Sequence, residues 1–248
     1  MRPYVICHMM ASVDGRIKTR DWNLSADGRA EYERTAATYR ADAWMCGRIT
    51  MEGYAQGEKS EQTHVTEMIS KTDFVAPHAG STYAIAIDSS GKLQWQANNI
   101  DGDHLITVLT ERVSNDYLAF LRGKNISYVF GGETELDLSI VLEKLATEFP
   151  IKTLLLEGGG KINGSMLAAG LIDEISLLLA PVADGAMETP TLFDVEQTLP
   201  QKGPTRLQLL SVEQRADDIL WLRYRVHAEQ VYRSQHSLVC TSLTTHLA

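Results

Sequence analysis

The chain has few cysteines, no excess of positive charge and no long apolar run. Its three cysteines, Cys7, Cys46 and Cys240, are too few and too scattered for a disulfide framework or a zinc site. Cys7 and Cys46 stand inside apolar runs, where they read as small buried hydrophobes in a reducing cytoplasm. Lysine and arginine number 23 against 32 aspartates and glutamates, and the net charge of −9 argues against a nucleic-acid or anionic-membrane surface. A local basic pocket around one anionic ligand stays compatible with that charge. The longest later apolar run, Ile175 to Ala183, is too short to span a bilayer. The opening "MRPYVICHMMASVDG" alternates after Arg2-Pro3 like a first strand rather than a signal peptide. No internal repeat, low-complexity tract, G-x-S-x-G elbow or H-E-x-x-H helix occurs, and His8, His64, His78 and His104 lack ligand spacing. The expectation is a cytoplasmic protein with no metal and no nucleic-acid or membrane partner.

What is present suits one large α/β domain of 248 residues. Short β-rich runs at Tyr4 to Met10, Ala43 to Cys46, Tyr83 to Ile87, Leu105 to Leu109, Ile126 to Phe130, Thr153 to Leu156 and Glu174 to Ala180 alternate with helical patterns. Asp137 caps a helix to Glu148 whose Leu138, Val141, Leu142 and Leu145 share one face. A weaker helix follows Ser25-Ala26-Asp27, with Tyr32, Ala36, Tyr39 and Ala43 in phase. A third runs from Gly158-Gly159-Gly160 to Ala169 and closes at Gly170. Two strand-like segments around Arg215-Ala216-Asp217-Asp218 predict a terminal antiparallel hairpin. The polar stretch from Gly57 to Gly80 holds at most one short helix near Glu61 to Ser70, and suits a flap or dimer element. The domain therefore covers 1–228, and 229–248 form a tail without useful period.

Four places carry chemistry. Gly158, Gly159 and Gly160 lie between a buried strand and a helix, where their N–H groups converge on an anion or simply pack closely. Glu157 before them is costly at the end of an apolar strand unless it binds or protonates something. "CGRITMEGY" repeats the strand-end pattern: Gly47 allows close approach, Arg48 pairs with a phosphate and Thr50 donates to it, yet no Gly-Lys-Ser/Thr makes a Walker loop. In an extended "ASVDGRIKTRDW", Arg16, Lys18 and Arg20 share one side, a basic strip in an acidic protein. Asp88-Ser89-Ser90-Gly91 ends a strand, as a turn or with hydroxyls for a ribose phosphate. His8, Trp44, Trp95 and Trp221 read as packed core residues.

In chain order, "SVDGRI", "RADAWMCGRIT", "IDSSGKL" and "LLLEGGGKINGSMLAAGLIDEISLLLAPVADG" resemble the reductase domain of bacterial riboflavin biosynthesis, a family with the dihydrofolate reductase-like fold. The resemblance covers Tyr4 to about Phe193 and rests most on the last motif. It implies a three-layer α/β fold: a mostly parallel, mixed central sheet with a C-terminal antiparallel hairpin. It also implies NADPH across the strand ends, with Gly47, Arg48, Thr50 and Gly158 to Gly160 on its phosphates and Ser89 and Ser90 at its 2′-phosphate. The family substrate is a ribosylamino-pyrimidine 5′-phosphate reduced at ribose C1, and Glu157 carries over as the acid at the substrate. Family members commonly place lysine directly after Ser-x-Asp-Gly, where this chain has Arg16, a poor proton donor, so Lys18 stands as a substitute. Asp14, Arg16 and Lys18 join Glu157 as catalytic candidates, and Ser12, Arg20 and Trp22 are the substrate contacts. A homodimer is expected, and no zinc-binding set of the family's deaminase half precedes Tyr4. One rival is a dihydrofolate or pterin reductase, which wants an acid on the first helix: Asp27, Glu31 or Glu33. The other is a non-catalytic nucleotide-binding dimer, favoured by the missing lysine and opposed by Glu157.

Overall fold

The computed structural model describes residues 1–57, 64–66, 68–80, 82–195 and 203–227. Its strands are β1 (Tyr4–Ala11), β2 (Ala43–Gly47), β3 (Tyr83–Ile87), β4 (Asn99–Ile100), β5 (Asp103–Leu109), β6 (Ser127–Phe130), β7 (Thr153–Leu156), β8 (Glu174–Leu179), β9 (Leu207–Gln214) and β10 (Leu220–Val226). The helices are α1 (Ala26–Ala37), α2 (Arg48–Met51), α3 (Asn115–Gly123), α4 (Leu138–Glu148) and α5 (Gly160–Ala168). One sheet runs β4-β5-β3-β2-β7-β1-β8-β10-β9, with β6 also on β5. Pairings among β1, β2, β3, β5, β6, β7 and β8 are parallel, while β10 joins β8 and β9 antiparallel. This is the expected dihydrofolate reductase-like class: a mostly parallel mixed sheet finished by an antiparallel hairpin.

Parallel strands need both faces covered, which explains the nearly continuous apolar runs. On one face Val5, Cys7, Met45, Leu154 and Leu156 pack with Val141, Leu142 and Leu145 of α4 and Met166 of α5. On the other Ile6 and Leu155 meet Ala36 of α1. His8 is a packed histidine: Nδ1 lies 2.9 Å from the Ser176 hydroxyl and Nε2 3.0 Å from the Tyr32 carbonyl, and burial pushes its pKa down to about 4. Ser25 caps α1 by accepting from Gly28 N, and Asp137 caps α4 by accepting from Ser139 N and Ile140 N.

Three local expectations change. Helix α1 stops at Ala37 rather than running in phase to Ala43, because Arg40 takes a positive φ of 47° and Asp42 turns to β7, accepting from Lys152 N and Thr153 N. Helix α3 went unpredicted; Ser114 caps it and Tyr117, Leu118, Phe120 and Leu121 are buried, but nine residues give the period little room. Within the Gly57–Gly80 stretch, residues 64–66 and 68–70 are not helical, and the rest of the expected short helix lies outside the described residues. Further on, Phe74 and Tyr128 exchange backbone hydrogen bonds of 2.9 Å, Phe130 N donates to Asp73, and His78 stacks on His104 at 4.2 Å. This part covers the β6 edge instead of forming a flap. The expected tail, 229–248, lies outside the described residues.

The return segment after β8 closes over α5. A Cβ on Gly164 would stand 2.5 Å from the Asp194 carbonyl oxygen and 2.6 Å from its carbon. In an open helix, glycine to alanine stabilises by about 1 kcal/mol. Here the obstacle is backbone, so overpacking of about 1–3 kcal/mol outweighs that gain. Gly164→Ala is expected to lower the midpoint of thermal unfolding; a raised midpoint by calorimetry would show that 194–195 does not press on α5.

Candidate active site

The parallel pairing brings the carboxyl ends of the strands to one edge of the sheet. Leu156 of β7 pairs with Met45 of β2 and Cys7 of β1, Gly47 pairs with Ile87, and Ile87 with Val108. The residues that follow, Glu157 to Gly159, Arg48 to Thr50 and Asp88 to Ser90, therefore lie side by side. Ligands of open parallel sheets bind at this edge.

The glycines divide between two tasks. Gly47 N donates to Gly158 O at 2.7 Å, which ties the two loops together, and Gly158 has φ +94°, a conformation that favours glycine. The Gly158–Gly159 peptide is cis. A Cβ on Gly159 would meet nothing closer than Thr50 Oγ1 at 3.6 Å, so bare backbone faces Thr50 in front of α5. Gly160 differs: its Cβ would lie 2.2 Å from Thr191 O and 2.4 Å from an Asp194 carboxylate oxygen. That glycine makes room for the protein's own return segment, a packing role the sequence does not reveal.

Arg48 is partly buried and paired with Glu52 one turn on. Ser89 and Ser90 are exposed at the end of β3, and the turn beneath them is held by Asp88, whose Oδ2 accepts from Lys92 N, Leu93 N and Tyr117 Oη. Burial raises the Asp88 pKa despite those donors.

Glu157 follows the alternation of β7 onto the face of Leu155, toward α1. Its N–H donates to Met45 O and its carbonyl accepts from Cys46 Sγ, but no hydrogen bond or ion pair reaches its carboxyl among the described residues. Burial first, and the charge of Glu33 second, push its pKa up to about 8. The carboxyl is thus mostly protonated at neutral pH. Its neighbours are neutral too: burial and then Glu157 raise the Tyr32 hydroxyl and the Cys46 thiol well above their ordinary values. Tyr32 Oη donates to His8 O at 3.0 Å.

From Glu157 a cleft of about 380 Å³ runs along the sheet face beside α1, walled by Glu33, Ala36, Trp44, Tyr54 and Leu155. The rings of Trp44 and Tyr54 are 5.6 Å apart. Sequence reasoning missed Tyr32 and Tyr54 beside Glu157 and the cleft; Trp95 and Trp221 are buried as expected, and Trp44 packs against the core with one side on the cleft. The available signal was the phase of Tyr32 with Ala36 on α1 and of Leu155 with Glu157 on β7. Of the acids on α1, Asp27 pairs with Arg34, Glu31 is buried between Arg34 and Arg215, and Glu33 alone lines the cleft.

The Ser12–Trp22 segment departs most from expectation. The buried Ser12 hydroxyl accepts from Arg16 N and donates to Asp14. The Asp14 carboxylate also accepts from Asp184 N at 2.9 Å and Gly185 N at 2.8 Å. These bonds, the Ser12 hydroxyl first, hold it well below the usual carboxylate range, so Asp14 clamps two loops and has no proton to give. Trp22 is core, packed with Met10, Leu24 and Leu178, and donates from Nε1 to Asp184. Ser12 and Trp22 are therefore structural rather than substrate contacts. Arg16 lies in a short pairing with 190–192 and donates from Nη1 to Thr189 O at 2.7 Å. Lys18 and Arg20 are exposed, and Thr19–Asp21 form a 3₁₀ turn, so the three cations do not line one side of an extended strand. Among the described residues, no group of His, Cys, Asp or Glu has the arrangement of a metal site, and no helix is long and apolar enough to cross a membrane.

Known proteins resemble this chain over most of its length. The 2,5-diamino-6-ribosylamino-4(3H)-pyrimidinone 5′-phosphate reductase of Methanothermobacter thermautotrophicus is 29% identical over 212 residues, 84% of this chain and 92% of that protein. The protein of the same description from Archaeoglobus fulgidus is 26% identical, over 80% of this chain and 90% of its own length. Among solved structures, a pyrimidine reductase-like protein from Corynebacterium diphtheriae superimposes with a TM-score of 0.67 at 16% identity, covering 92% of this chain and 93% of that one. The Saccharomyces cerevisiae riboflavin biosynthesis reductase Rib7 gives 0.58 at 17% identity, over 91% and 90% of the two chains. Residues 3–221 match the family described as RibD C-terminal domain, and the chain belongs to that family.

Proposed function

We propose that the protein is an NADPH-dependent reductase that acts on a ribosylamino-pyrimidine of the 5-amino-6-(5-phosphoribosylamino)uracil type, in riboflavin biosynthesis. The observation that carries this reading is Glu157: a carboxyl without a partner among the described residues, mostly protonated at neutral pH, at a strand end beside a bare-backbone cradle. The names of the two archaeal relatives supply the substrate class.

The residues present fit the cofactor. Gly159 leaves bare backbone facing the Thr50 hydroxyl before the N-terminus of α5, the Gly47 amide holds the Gly158 carbonyl beside it, Arg48 stands next to them, and exposed Ser89 and Ser90 suit the 2′-phosphate. NADPH, when bound, supplies the hydride for ribose C1. The chain supplies the proton, from the Glu157 carboxyl to the departing ring oxygen or the imine nitrogen. Neutral Tyr32, Cys46 and His8 around Glu157 keep the site poorly solvating, which holds that proton until the substrate needs it. Arg16 cannot replace Glu157 as a donor, since a guanidinium stays charged and this one is bound to Thr189 O.

The reading includes a homodimer in the cytoplasm, where the buried free thiols Cys7 and Cys46 suit reducing conditions. Among the described residues strand β9 ends the sheet, with Leu209 53% and Val212 54% exposed. An open edge with apolar side chains favours a second copy there, rather than at the Gly57–Gly80 stretch.

Glu157→Gln is expected to leave NADPH affinity within about twofold and to lower kcat by roughly 10²–10⁴; a parallel loss of cofactor affinity would assign Glu157 to the cofactor instead. Wild-type kcat should fall as pH rises through about 8, as Glu157 loses its proton. Because its folded pKa lies above its unfolded value, its favourable contribution is complete below the unfolded pKa and lost as pH rises through about 8. Glu157→Gln should therefore unfold at a higher temperature than wild type at pH 9 and at the same temperature near pH 4. For the dimer, Leu209→Glu with Val212→Glu should yield a folded monomer by sedimentation; an unchanged dimer would move the interface elsewhere.

A further inference from the structure

The turn that follows β3 presents two exposed serines on a backbone that is clamped from three sides. Among the described residues no hydrogen bond reaches the hydroxyl of Ser89 or Ser90. Beneath them, Thr110, just past β5, donates twice to the Ser89 carbonyl, from N at 3.0 Å and from Oγ1 at 2.7 Å. Asp88 is fully buried and gathers Lys92 N at 2.7 Å, Leu93 N at 2.8 Å and Tyr117 Oη at 3.2 Å. All three donors fall on Oδ2, since Oδ1 has no partner among the described residues. Tyr117 of α3 closes the third side. Its hydroxyl also lies 3.0 Å from the Leu93 carbonyl, and its ring would stand 2.5 Å from a Cβ on Gly91, whose φ of +64° favours glycine.

Burying a carboxyl and a phenol beneath an exposed turn is costly. The cost is offset where the turn must meet a ligand in one shape, because an ordered receiver loses less entropy on binding. We propose that Tyr117 is a positioning residue for the cofactor: with Asp88 and Leu93 on one side and Thr110 on the other, it holds the turn so that Ser89 and Ser90 meet the 2′-phosphate, and so sets a preference for NADPH over NADH. The inference rests on the reading of Ser89 and Ser90 as the 2′-phosphate contacts, and adds what fixes them in place. A serine hydroxyl bonds a phosphate oxygen only when it is aimed at it, so a loosened turn weakens the hold on the phosphate. NADH lacks that phosphate and makes no such demand on the turn.

The test is calorimetric titration of the full chain and of its Tyr117→Phe and Thr110→Val variants with NADPH and with NADH. Each substitution keeps the side chain's shape and removes one hydroxyl. Wild type should bind NADPH at least about tenfold more tightly than NADH, and each variant should lose about fivefold in NADPH affinity, as for one hydrogen bond, with NADH affinity unchanged within about twofold. Tyr117 lies in the core, so Thr110→Val, which reaches the turn from the β5 side, decides the matter if Tyr117→Phe fails to fold. Equal losses for both cofactors would mark a general loosening and overturn the proposal. A preference for NADPH that survives both substitutions would overturn it too, and leave the reductase reading standing. Equal wild-type affinities would sink the proposal together with the assignment of NADPH, and a wild type that binds neither cofactor would remove the reductase reading as well.

Discussion

The burial of a carboxyl without a partner is the constraint around which the site is arranged. Glu157 emerges from β7, a strand covered on both faces, and the surrounding Tyr32, Cys46 and Leu155 solvate an anion poorly. Proton retention costs less than ionisation there, so the group stays an acid near neutral pH. Ionising it would require a cation or several donors within reach, and the described residues provide neither. The chemistry proposed for the protein follows from this deficit.

Parallel strand direction gives that deficit its setting. Because β1, β2, β3, β5 and β7 run the same way, their following loops meet at one edge and bring Glu157 beside the Gly47 and Gly159 backbones. The remaining loops hold this edge in shape. Asp14 gathers the Ser12 hydroxyl and the Asp184 and Gly185 amides, Trp22 bonds Asp184, and the 190–194 segment fills the space that Gly160 and Gly164 leave. Much of the polar sequence near the site is thus spent on holding loops. Ligand contact falls to fewer residues, and the cleft is lined by α1, the loop into β2, Tyr54, the start of β3 and the β4–β5 turn.

Charge is distributed unevenly between the two ends of the sheet. The cradle at the carboxyl ends carries Arg48 and the start of α5, while the cleft beside α1 reaches from Glu157 to the amino ends of β2, β3 and β5, where Asp42, Asp101 and Asp103 lie.

Local signals in the sequence determined the apolar runs that became strands, the Ser25 and Asp137 caps, the turn of the terminal hairpin, and an acid before three glycines at a strand end. Periodicity and capping act over a few residues, so they can be read without the rest of the chain. The tertiary structure alone decided which polar groups find partners. Asp14 meets Asp184 and Gly185 some 170 positions away, and Asp217 reaches Ser25 N across 192. Such contacts turned Asp14, Ser12 and Trp22 into supports, gave Gly160 to packing, and left Glu157 without a partner among the described residues. They also assembled Glu33, Arg40, Asp42, Asp101 and Asp103 along one cleft, a grouping invisible in the chain because it depends on where the strands return.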